Sequence, residues 1–90
     1  MDIQLVNGYN RKETLVFRTP ETIAELIGYC NVNSHIWFKA IDGTARQCKV
    51  NGRVRTWKRD PNRVEIPVKY GMYEYSTFYA NDMERILIPL

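Results

Sequence analysis

Ala45-Arg46-Gln47-Cys48-Lys49-Val50-Asn51-Gly52-Arg53-Val54-Arg55-Thr56-Trp57-Lys58 reads as a β-hairpin. Two alternating runs flank Asn51-Gly52, a dipeptide that tolerates positive φ and suits a tight turn. The register decides which side chains share a face, because a slip of one residue swaps them all. A two-residue loop would pair Val50 with Arg53 and put Cys48 and Val50 among the arginines. A three-residue loop, Val50-Asn51-Gly52 with Gly52 left-handed, pairs Lys49 with Arg53 and Cys48 with Val54. Gln47, Lys49, Arg53, Arg55 and Trp57 then share one face, with Cys48, Val54 and Thr56 on the other. This cleaner segregation makes the three-residue loop the expected register.

The flanking sequence has the same period of two. Before the hairpin, Ile36, Phe38 and Ala40 alternate with His35, Trp37, Lys39 and Ile41, up to a turn at Asp42-Gly43. After it, Asp60-Pro61-Asn62 is a turn. Val64, Ile66, Val68 and Tyr70 then point inward and Arg63, Glu65, Pro67 and Lys69 outward. Pro67 has no N–H, so this strand lies at an edge or carries a bulge there. Gly71 breaks it. Met72 to Phe78 is a further strand, and Ile86 to Ile88 is the last.

Ahead of this β region, Ile3–Val6 and Thr14–Arg18 form a hairpin that turns after Asn7-Gly8. One helix follows, over about residues 20–28. Thr19 is its expected cap, Pro20 fits the first helical position and Glu21 suits the positive end of the dipole. Ile23, Leu26 and Ile27 supply the buried stripe, and Gly28 or Asn31 ends it. Near the C-terminus, Asn81 and Glu84 have capping-box spacing for a short helical turn at about 81–85.

The expected fold is therefore α+β, mainly antiparallel β, in a single domain over residues 1–90. Over about residues 35 to 90 the order of short strands, one helical turn and a final strand resembles small SH3-like barrels, in which a 3₁₀ turn precedes the last strand. That resemblance implies a small SH3-like or partly open barrel carrying the N-terminal helix. It implies no function.

The chain has 90 residues, 44% of them hydrophobic and 26% charged, a globular balance. Its net charge is only +3 but is sorted: residues 46 to 69 hold eight basic side chains and two acids, while the other 66 residues sum to −3. Two cysteines, Cys30 and Cys48, are too few for a disulfide framework. They read as reduced and buried, which with the absence of a signal peptide points to the cytoplasm. No apolar run is long enough to span a membrane.

Catalytic and metal chemistry find little support in the residues. Cys30, His35 and Cys48 are three soft ligands with no tight Cys-x₂₋₄-Cys pair, short of a structural zinc set. Ser34 and His35 are adjacent and so face opposite ways on a strand. Cys48 would need His35 and an orienting carboxylate, and nothing in the spacing of Asp42 or Glu74 supplies one. No glycine-rich phosphate loop occurs. The chain is expected not to be an enzyme and to need no metal or cofactor.

The basic segment is the functional signal. Arg outnumbers Lys there, and Arg suits bidentate phosphate contacts and stacking. Lys49, Arg53, Arg55, Lys58 and Arg59, with Arg46 and Arg63 beside them, are the expected phosphate contacts, and Trp57 the stacking residue. Tyr73 and Tyr75 could extend the platform, although most aromatics of 70–79 are expected in the core. With no recognition helix for a major groove, single-stranded nucleic acid or RNA is the expected ligand. The alternative is a protein-binding module, such as a small inhibitor of the kind mobile elements encode, using the same surface on an acidic partner. A third reading is an obligate homo-oligomer, such as a homodimer, whose exposed aromatics are simply its interface.

Overall fold

The computed structural model describes residues 2–90. It is a mostly antiparallel β structure with little helix. The strands are β1 (Ile3–Val6), β2 (Thr14–Arg18), β3 (His35–Lys39), β4 (Ala45–Val50), β5 (Arg55–Thr56), β6 (Val64–Tyr70), β7 (Glu74–Tyr79) and β8 (Ile86–Pro89). Helix α1 (Ile23–Tyr29) follows β2, and a 3₁₀ turn (Ala80–Arg85) precedes β8. The sheet runs β1-β2-β8-β3-β4-β6-β5, with β7 on the other edge of β6. It is open, with one isolated parallel bridge between Asn7 and Ala45. No helix among the described residues is long and apolar enough to cross a membrane.

The expected β4–β5 hairpin does not form. β4 pairs with β6, Lys49 facing Lys69 and Val50 facing Val68. β5 also pairs with β6, Arg55 facing Glu65 and Thr56 facing Val64. The chain from Lys49 to Thr56 thus runs along one edge of β6, and the real hairpin turns at 57–63. Val50 to Arg55 is five steps against three from Val68 to Glu65, so a bulge with two extra residues interrupts the ladder. Asn51 N–H donates to the Pro67 carbonyl at 2.8 Å, but Pro67 has no N–H to return. The ladder fails at that proline and the bulge forms across from it. Gly52 is accordingly not left-handed; only Gly43 and Gly71 are, among the described glycines. A Cβ on Gly52 would lie 3.1 Å from Pro67 Cγ, a tight contact that would press on the proline ring.

Helix α1 also starts later than expected. Thr22, not Thr19, is its N-cap, and its side chain accepts from Glu25 N–H at 3.1 Å. The Glu25 carboxylate turns back to the Glu21 N–H and grips Arg18 at 2.6 and 3.2 Å. That grip ties the helix start to the end of β2 and holds the Glu25 carboxyl below its ordinary pKa, Arg18 being the main cause. The helix ends at Tyr29, past Gly28, with Cys30 as cap. At the 3₁₀ turn, Asp82 rather than Asn81 does the capping, accepting the Tyr79 N–H at 2.8 Å.

Two cores lie on opposite faces of β3 and β8. The larger gathers Ile36, Phe38, Cys48, Val50, Val64, Ile66, Val68, Phe78 and Ile86 under Leu26 of α1. The smaller gathers Phe17, Ala45 and Leu87, with Trp37, Ile3, Leu5 and Leu15 packed on it. Trp37 sits 5.4 Å from Phe17, so β1 and β2 fold over the outer face of β3. The loop after β1 then meets β4: Gly8 N–H donates to the Ala45 carbonyl at 2.7 Å. A Cβ on Gly8 would lie 2.6 Å from Arg46 Cγ. Gly8→Ala is expected to lower stability by about 1–3 kcal/mol through overpacking, measurable by denaturant melts.

Cys30 and Cys48 are both buried and free. Burial pushes the Cys30 thiol up to about 11 and the Cys48 thiol up to about 12. Unfolding would return both to ordinary values near 9.0, so above that pH the unfolded chain holds fewer protons and the fold loses stability. Melting temperature should fall as pH rises from about 9 towards 11. Alkylation of either thiol at neutral pH should require denaturant.

Candidate nucleic-acid interface

β4, β5, β6 and β7 present an outer face that neither α1 nor the β1–β2 hairpin covers. Strand alternation and register put Lys49, Arg55, Glu65, Pro67, Lys69, Tyr75, Thr77 and Tyr79 on it. Lys49 and Arg55 therefore share a face, as the sequence predicts, although the pairing that was to bring them together is absent. The bulge explains this: two extra residues are an even number and leave the alternation intact.

Lys49 and Lys69 sit directly across from each other. They form a hydrogen-bonded antiparallel pair, with Cα atoms about 5.5 Å apart. Like charges so placed destabilise a sheet. Among the described residues neither lysine has a carboxylate within ion-pair distance; the pairs are Arg11–Asp42, Arg18–Glu25, Arg46–Asp42 and Arg85–Asp82. Lys69 Nζ instead lies 5.5 Å from the Tyr75 ring centroid.

The rest of the basic segment divides in two. Arg53, Arg55, Lys58, Arg59 and Arg63 are exposed and form no ion pair among the described residues. Lys58 and Arg59 lie in the 57–63 turn, which is closed by Arg63 N–H to the Asp60 carbonyl at 3.0 Å. Trp57 belongs to neither core and is half-buried, with the Arg63 guanidinium stacked over its ring at 3.9 Å. One face of the Trp57 ring is thus already used, and the Arg63–Trp57 stack offers a flat cationic surface.

Arg46 is not brought to this face. It lies on the opposite side of β4, 3.0 Å from Asp42, and that ion pair neutralises it. Asp42 is held down to about 2, chiefly by the Thr44 hydroxyl and backbone N–H and then by Arg46. Arg46 instead lines a groove of about 830 Å³ with Phe38, Tyr70, Tyr73, Met72 and Ile41. A smaller groove of about 430 Å³ runs beside Lys49 and Lys69, between Tyr9, His35 and Gln47.

Fewer aromatics are in the core than expected. Tyr70 packs edge-on against Phe38 at 5.3 Å, and Phe78 is buried. Tyr73, Tyr75 and Tyr79 are 84%, 62% and 50% exposed. Tyr79 is missing from the sequence-based site; its odd position, shared with Tyr75, was the available signal. Tyr9 is missing too, and nothing local marks it: its hydroxyl donates to the Gln47 carbonyl at 2.6 Å across 38 residues. No group of three or more His, Cys, Asp or Glu side chains among the described residues could hold a metal ion.

No protein-family model, curated protein or solved structure matches this chain.

The Lys49–Lys69 repulsion can be tested directly. Lys49→Glu should raise stability by about 0.2–1 kcal/mol at low salt, and the gain should shrink as salt screens it. Urea melts at two ionic strengths measure both.

Proposed function

We propose that this protein binds nucleic acid, single-stranded DNA or RNA, across the outer face of β4–β7 and the 57–63 turn. The observation that carries the reading is the facing Lys49–Lys69 pair, which has no carboxylate within ion-pair distance among the described residues. A fold that keeps two like charges opposed bears a cost in the free state, and an anion lying between them removes it. Arg53, Arg55, Lys58 and Arg59 extend the positive surface, which suits a phosphate backbone. Tyr75, Tyr79 and the Arg63–Trp57 stack supply flat surfaces for bases, in a form that tolerates any sequence. The role is binding and not catalysis, and the buried, protonated thiols suit that reading. The 3₁₀ turn before β8 and the Asn7–Ala45 bridge fit a partly open, SH3-like barrel as the scaffold.

A second reading, an acidic protein partner, draws on other residues. Ile41, Met72 and Tyr73 are strongly exposed around the 830 Å³ groove, with Arg46 and Arg85 in its lining. Apolar and arginine side chains around a cleft make interface anchors.

Filter binding of single-stranded oligonucleotides over a range of salt separates the two. About five phosphate contacts predict a slope of log affinity on log salt of roughly −3 to −4. Absence of binding at low salt, or a slope near zero, would overturn the nucleic-acid reading. Trp57→Ala should weaken binding about tenfold with the slope unchanged, because stacking is insensitive to salt. Arg55→Ala should flatten the slope by about one contact.

A further inference from the structure

β7 is an edge strand without protection. Glu74-Tyr75-Ser76-Thr77-Phe78-Tyr79 pairs with β6 along its whole length and with no other strand. It contains no lysine, proline or bulge, the usual devices that keep an edge from pairing.

The direction of its free backbone groups follows from the ladder. In an antiparallel pair, opposed residues alternate between exchanging both hydrogen bonds and exchanging none. The Pro67 carbonyl points at Asn51, on the β4 side. Thr77, which faces Pro67, therefore turns its own N–H and C=O away from β6, as does Tyr75 two residues before it. Tyr79 confirms the alternation: its N–H bonds the Asp82 side chain and not β6. Among the described residues, the Tyr75 and Thr77 N–H groups have no hydrogen-bond partner.

We infer that β7 is a self-association edge, pairing antiparallel with β7 of a second copy about a twofold axis at Thr77. The edge is self-complementary about that point. Thr77 meets its own copy and exchanges both bonds with it. Each Tyr75 N–H reaches the Tyr79 carbonyl of the other copy. Tyr75 and Tyr79 then sit across from each other on the outer face, an aromatic pair of the kind that stabilises sheets. Glu74 falls beyond the overlap, so no like charges oppose. An axis normal to the sheet keeps both basic faces on the same side. Three strand spacings, roughly 14 Å, separate one β6 from the other. That exceeds the screening length of about 8 Å at physiological salt, so the two lysine pairs repel little. A second copy is favoured over a foreign strand because the hydrogen-bond pattern and the tyrosine positions complement themselves.

Light scattering after size exclusion, over a concentration series, tests the edge. The wild type should pass from one chain mass to two as concentration rises. Thr77→Pro removes an N–H that points to solvent in the single chain, a place where a strand tolerates proline. It should retain the wild-type circular dichroism and stay at one chain mass. Ser76→Pro removes a bond to β6 and should unfold. Should Thr77→Pro misfold, Thr77→Lys serves instead: the introduced lysines face each other on the axis, so it should be monomeric at low salt and regain dimer at high salt. Amide exchange at Tyr75 and Thr77 should slow as concentration rises. A wild type of one chain mass at every concentration overturns the inference. So does a folded Thr77→Pro that dimerises as well as wild type, or a dimer in which those amides exchange freely. Each result is independent of oligonucleotide binding.

Discussion

The backbone groups of β4 that point away from β3 need partners, and no single strand supplies them all. Unpaired buried backbone groups are costly enough that native chains almost never leave them. The first half of this edge is served by the loop after β1, through Gly8 N–H to Ala45 and the Tyr9 hydroxyl to Gln47. The second half is served by β6, at Lys49 and Asn51. Much of the architecture follows from this division. The β1–β2 hairpin is drawn over one end of the sheet and closes the smaller core around Phe17 and Trp37. β6 and β7 extend the other end, and α1 covers only the face with the larger core. The outer face of β6–β7 is left open.

That open face departs from what stability alone would select. A sheet selected only for stability would set a glutamate opposite Lys49, and the fold sets Lys69 there. It would also bury its tyrosines; instead Tyr75 and Tyr79 remain in solvent while Phe38, Tyr70 and Phe78 fill the core. Arg46 marks the limit of this pattern. One residue of the same charged segment, placed on the opposite side of β4, meets Asp42 and becomes an ordinary ion pair. Charge density along the chain therefore overstates the surface it makes, because alternation sends every second residue to the other side.

Much of the fold was legible locally. Period-two alternation located the strands, and Val64, Ile66 and Val68 are buried as it requires. The turns at Asp42-Gly43 and Asp60-Pro61-Asn62 were readable from residues that adopt such conformations. The helix was readable from Ile23, Leu26 and Ile27, but its start was not. Thr19-Pro20-Glu21 and Thr22-Ile23-Ala24-Glu25 are both sound N-terminal signals, and Arg18 favours the second by holding Glu25 in place. The basic surface was legible as composition: Lys49, Arg53, Arg55, Lys58, Arg59 and Arg63 are all exposed or half-buried and free of ion pairs among the described residues.

What the sequence by itself determined is what depends on near neighbours: element type, the face of strand side chains and the sorting of charge. Only the tertiary structure decided which strands meet. Asn51-Gly52 reads as a turn because those residues turn easily, yet here they form a bulge. The missing N–H that interrupts the ladder belongs to Pro67, on β6, and that partner is not written in the residues around Asn51. The pairing of Lys49 with Lys69, the reach of Tyr9 to Gln47 and the packing of Trp37 against Phe17 are likewise decided between distant segments. Local propensity is summed over a few residues, whereas strand pairing is settled by which arrangement satisfies the backbone and buries both cores together.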